Sequence, residues 1–109
     1  MGLKTACFAA IQALKEGRIQ AVERKDLKEK NLLKTGKVTS EEVIELLKKT
    51  SGSKYRNVPH MDDASVTVHI FEPRVRNIDW HIKFYFLEPD CYFISVHHST
   101  KARTTIKKR

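Results

Sequence analysis

Trp80-His81-Ile82-Lys83-Phe84-Tyr85-Phe86 alternates along its whole length, and beyond Glu88-Pro89-Asp90 the chain runs on through Cys91-Tyr92-Phe93-Ile94-Ser95-Val96-His97. Successive side chains of a strand leave on opposite faces. Trp80, Ile82, Phe84 and Phe86 therefore share one face, and His81, Lys83 and Tyr85 the other. Proline and aspartate favour a tight connection, so the two runs predict an antiparallel hairpin. Val66-Thr67-Val68-His69-Ile70-Phe71, rich in β-branched and aromatic residues and halted by Pro73, predicts a further strand before it.

An apolar sheet face needs a cover, and the first half of the chain supplies one. Leu3, Cys7, Ile11 and Leu14 recur at helical spacing over residues 3–16, and Gly17 is a natural terminator. Arg18 to Glu23 alternates, which suits a short strand. Asp26 to Lys34 reads as a second helix with Leu27, Leu32 and Leu33 inward, closed by Gly36. Thr39-Ser40-Glu41-Glu42 has the capping-box pattern. Val43, Ile44, Leu46 and Leu47 then mark a third helix that ends in the cationic Lys48-Lys49. The expected fold is α+β: N-terminal helices on a small curved antiparallel sheet, one domain over residues 1–98 and a basic tail over 99–109.

The 109 residues hold 21 lysines and arginines against 13 acids, for a formal charge of +8. Five of those basic residues and no acid fall in residues 99–109, so the rest of the chain carries 16 basic against 13 acidic residues. A concentrated basic tail points to phosphate-bearing partners. No apolar run approaches the ~20 residues of a membrane span. Met1-Gly2-Leu3-Lys4 reads as neither a signal peptide nor a myristoylation site. Two lone cysteines, Cys7 and Cys91, suit a cytosolic protein better than a disulfide scaffold. No membrane partner and no cofactor are expected.

The sequence holds no glycine-rich phosphate loop, no paired cysteine spacing and no nucleophile elbow. Histidine placement is what stands out. His81 lies on the polar face of the hairpin beside Lys83 and Tyr85. His97 joins it if Val96 and Ile94 pack inward, and Arg56 could reach the same surface from the loop after the third helix. Such a surface suits binding and bending of a phosphodiester. Lys83, His98, His69 and Tyr85 are secondary candidates, and Lys54, Arg74, Arg76, Lys101 and Arg103 are candidate RNA contacts. The plain alternative makes His81 a surface polar residue, and the Lys28-Glu29-Lys30 and Lys48-Lys49 charges solvated helix surface. Metal ligation by His97 and His98 with Cys91 or Asp90 is awkward, because adjacent strand residues face opposite ways. A metal site is therefore not expected.

The order Lys54-Tyr55-Arg56-Asn57, Val68-His69-Ile70-Phe71-Glu72-Pro73, Trp80-His81-Ile82-Lys83 and Ile94-Ser95-Val96-His97 resembles the MqsR family of bacterial toxins. That family reads FYKS, WQDVYRP, VYLK and IVSFK in the same order, and the likeness covers about residues 5–98. It implies a fold related to the RelE superfamily. It also implies an mRNA endonuclease that needs neither ribosome nor metal, held in check by a cognate antitoxin. The family's functional Lys, Gln, Tyr and Lys correspond here to Arg56, Val68, His81 and His97, and Thr67 stands at the family's tryptophan.

The substituted set is chemically coherent. Metal-free RNA cleavage needs a base for the 2′-hydroxyl, an acid for the departing 5′-oxygen and a cation for the phosphorane. Histidine titrates near neutrality and serves as either base or acid, and arginine matches phosphate oxygens in bidentate fashion. The expected roles are His81 and His97 as base and acid, in either order, with Arg56 stabilising the transition state. A non-catalytic RNA- or DNA-binding module with the same basic face, and a partner-binding protein whose charge serves solubility, are the other two readings.

Overall fold

The computed structural model describes residues 2–22 and 31–98. Helix α1 (Leu3–Glu16) ends at Gly17, whose left-handed backbone (φ 74°) lets its N–H return to the carbonyls of Ala13 and Leu14. Strand β1 (Ile19–Ala21), the single turn α2 (Leu32–Thr35) and α3 (Ser40–Lys48) follow. Thr39 and Glu42 form the predicted capping box on α3, satisfying two backbone donors. After a 3₁₀ turn (Gly52–Lys54), the remaining strands are β2 (Tyr55–Pro59), β3 (Thr67–Phe71), β4 (Arg74–Val75), β5 (Ile78–Leu87) and β6 (Asp90–His98). The predicted second helix lies mostly outside the described residues; its end is α2. The tail over 99–109 lies outside them as well. Among the described residues, no helix is long and apolar enough to cross a membrane.

The α+β class is as expected, but the sheet is mixed. Its order is β1-β6-β5-β3-β2, with β4 paired to the start of β5. β1 runs parallel to β6, Ile19 opposite Cys91 and Ala21 opposite Phe93, while β2, β3, β5 and β6 pair antiparallel. The long connection through α2, α3 and the later strands makes this parallel pairing possible. The short β4 arises where Arg76 and Asn77 both take positive φ (54° and 65°), the two-residue turn whose twist matches a hairpin.

The core lies between the helices and one sheet face. Val43, Ile44, Leu46 and Leu47 of α3 meet Phe71, Ile82, Phe84, Cys91, Phe93 and Val96. The α1 stripe is displaced from the predicted one: Ala6, Ala10, Ala13 and Leu14 are buried, and Leu3, Cys7 and Ile11 flank them. Alanines along the contact line let the helix backbone lie close, and the larger side chains reach down its sides. Cys7 and Cys91 are free thiols. Burial raises the pKa of both, that of Cys91 to about 12.

β6 contains a bulge that strict alternation misses. Lys83 faces Ser95 but Phe84 faces Phe93, leaving Ile94 as the extra residue. Phe93 and Val96 therefore both point into the core, and Ile94 faces the other side, contrary to the expectation that Ile94 packs inward. The buried Asn31 holds this point: Nδ2 donates to the Phe93 carbonyl at 2.9 Å and lies 3.3 and 3.4 Å from those of Val22 and Ile94. Asn31→Ala removes this amide, although the Phe93 carbonyl keeps the Val22 N–H, and is expected to cost about 1 kcal/mol. A lower urea midpoint at unchanged slope would register it; an unchanged midpoint would show that the bulge holds without the amide.

Candidate functional site

The face away from the helices gathers the chemistry. Cross-strand register puts His81 opposite His97 and Lys83 opposite Ser95. It also sets Ile70 between Lys83 and Arg56. The His81 and His97 rings lie 5.1 Å apart at 32°. Glu72, two residues past Ile70 on the same face, bridges the rest. Its Oε1 accepts from Arg56 Nη1 at 2.7 Å, and its Oε2 lies 2.9 Å from His81 Nδ1. Arg56, His81 and His97 are thus brought together with Lys83 adjacent, but Arg56 sits in strand β2, paired with β3, rather than in the expected loop. Glu72 was not among the predicted site residues. Counting by twos from Val68 places it on this face, but only the pairing of β3 with β5 sets it against His81.

These contacts fix the protons. The carboxylate accepts from His81 Nδ1–H, so Nε2 carries the lone pair in the neutral ring. Burial lowers the His81 pKa; the Glu72 hydrogen bond and charge raise it without overcoming that effect, and repulsion from His97 and Lys83 adds to the lowering. Burial alone would push Glu72 up, but the His81 hydrogen bond and the Arg56 and His81 charges outweigh it and hold the carboxyl below its ordinary value. His97 Nδ1 lies 2.7 Å from the His98 carbonyl, which can only accept, so Nδ1 bears hydrogen. Among the described residues, no three His, Cys, Asp or Glu side chains are grouped to hold a metal ion.

Other predicted residues are placed elsewhere. His69 is buried on the core face, within 2.8 Å of the Tyr55 hydroxyl, and desolvation lowers its pKa. It is a satisfied core histidine because β3 alternation turns it away from Ile70 and Glu72. His98 faces Trp80 edge-on at 4.5 Å, on the face opposite His97. Arg74 pairs with Asp79 at 2.8 Å, and Arg76 lies against the outer side of α3 with Glu41 and Glu45. Arg74 is thus held by a residue two positions before His81 on β5, while Arg76 sits in the turn of the β4 hairpin. Lys54 is exposed in the 3₁₀ turn, and Lys101 and Arg103 lie outside the described residues. Cys91 sits at the far end of β6 from His97, so the metal grouping weighed above does not form.

Tyr85 is on the open face, stacked on Tyr92 with ring centroids 5.3 Å apart and 6° between planes. Beyond Lys83 this face sinks into a groove of about 310 Å³ walled by Tyr85 and the β2–β3 connection. Comparison with protein-family models finds no match for this chain, and comparison with curated proteins finds none either.

Proposed function

We propose that this protein is an endoribonuclease that cuts single-stranded RNA through its own 2′-hydroxyl. On this reading it acts in the cytoplasm as the toxin of a toxin–antitoxin pair, restrained by a cognate antitoxin. The observation that carries the reading is the His81–His97 ring pair, with Glu72 behind one ring and Arg56 and Lys83 beside it. The toxin assignment is supported by the resemblance of the motif order to that of the MqsR toxins, with Arg56, Val68, His81 and His97 standing at the family's functional positions.

Two neighbouring imidazoles resist being charged together, which favours one neutral and one protonated ring. His81, held neutral by burial, accepts the 2′-hydroxyl proton at Nε2, and Glu72 stabilises the imidazolium that forms. The 2′-oxygen bonds to phosphorus as the bond from phosphorus to the 5′-oxygen breaks. His97, protonated, donates from Nε2 to that leaving oxygen. Arg56, half exposed with Nη1 held by Glu72, and Lys83 offset the phosphorane charge. The products are a 2′,3′-cyclic phosphate and a 5′-hydroxyl.

Incubation with mixed-sequence single-stranded RNA in EDTA tests this. Fragments with cyclic phosphate ends are expected. Fragments ending in 3′-hydroxyls would overturn attack by the 2′-oxygen. Intact RNA with a gel shift would move the protein to the non-catalytic binding module, and intact RNA without a shift would remove both readings.

A further inference from the structure

The groove beside the cluster differs in character from the cluster itself. Val68 and Ile94 lie along it with Lys83 and Tyr85, and Val58 and Met61 stand on it 39% and 86% exposed. Solvated apolar side chains concentrated at one concavity mark a surface that gains by being covered. Its aromatic wall is braced: Tyr85 is stacked on Tyr92, and the His60 ring meets it at 4.8 Å and 80°. Among its polar groups the His60 ring is oriented by the backbone. His60 Nδ1 accepts from the Asp62 backbone N–H at 3.0 Å, so the neutral ring carries its hydrogen on Nε2. A slot with apolar walls, a braced ring and an oriented imidazole suits a flat heteroaromatic ligand, whereas a bare phosphate would find there only the Lys83 cation, with the Asp62 carboxylate in the same wall.

Position selects the ligand. Lys83 belongs to both places: it lines the groove and follows His81 by two residues on the same face. A group in the groove is therefore one strand step from the reacting centre. We infer that the groove is a nucleobase subsite, which takes the unpaired base of the nucleotide adjoining the scissile phosphate and leaves that phosphate to Lys83, Arg56 and the histidines. This inference rests on the ribonuclease reading.

The test uses the unaltered chain and a 2′-O-methyl RNA hexamer, which lacks the attacking hydroxyl and so binds without being cut. Anisotropy is measured for the hexamer and for versions with one abasic position moved along it. Loss of one base is expected to weaken binding by about 10-fold at one or two adjacent positions and little elsewhere. Val58→Trp, which fills the groove from an exposed strand position, is expected to abolish that positional contrast. Equal binding of every abasic version would overturn the subsite and leave the ribonuclease standing. Absence of both hexamer binding and RNA cleavage would overturn the ribonuclease and the subsite with it.

Discussion

His81→Ala is expected to slow RNA cleavage by about 10²–10⁴-fold, the range for loss of a positioned general base. The side chain is only 18% exposed, and its Nε2 is the nitrogen left free to take a proton once Nδ1–H is given to Glu72. The variant keeps Arg56, Lys83 and the groove, so RNA affinity should change little while turnover collapses. That split separates a catalytic residue from one that only binds. His97→Ala should cost a similar factor. The double variant should be little worse than either single one, because base and acid act in one step. A loss below about threefold in His81→Ala, with the fold intact by circular dichroism, would remove His81 from the chemistry.

Glu72→Gln should lower the maximal rate by about 10²-fold and move the acidic limb of the pH profile to lower pH. In the wild-type protein the Glu72 hydrogen bond and charge both raise the proton affinity of His81, against the larger effect of burial. Glutamine preserves an acceptor for Nδ1–H but removes the charge. The imidazolium loses its partner, so His81 accepts the substrate proton less readily and also titrates lower. A limb that stayed fixed, or moved up, would show that Glu72 does not govern His81.

The same pair sets the direction of acid stability. His81 sits below the ordinary histidine value in the fold, so the unfolded chain takes up protons first as pH falls through about 6.5. Stability declines from there until the lowered folded value is passed. Glu72, also lowered, adds a second loss as pH drops through the carboxylate range. Burial of His69 acts in the same sense as His81.

Much of this architecture was legible residue by residue. The capping box at Thr39 and Glu42 and the stop at Gly17 are contacts within a single element, and the inward set Val43, Ile44, Leu46 and Leu47 follows from the periodicity of one helix. The alternation of Trp80 to Phe86 put His81 and Lys83 on one face, and the hairpin brought His97 opposite His81. In α1 the large apolar residues mark one stripe, whereas the closest approach belongs to the small Ala6, Ala10 and Ala13. His69 has the residue type of a site histidine, but alternation sets it opposite Phe84 on the buried face, away from Ile70 and Glu72.

The sequence by itself determined α1, α3, the β5–β6 hairpin and the chemical identity of its polar face, but not β2 or β4. Each follows from energies local to one element or to two elements joined by a short turn. Tertiary structure alone decided the parallel seat of β1 on β6, the bulge at Ile94, the bridge of Glu72 between Arg56 and His81, and the groove beyond Lys83. These depend on which distant strands pair and in what register. A one-residue slip there reverses the face of every side chain, and no pattern within a single strand encodes that choice.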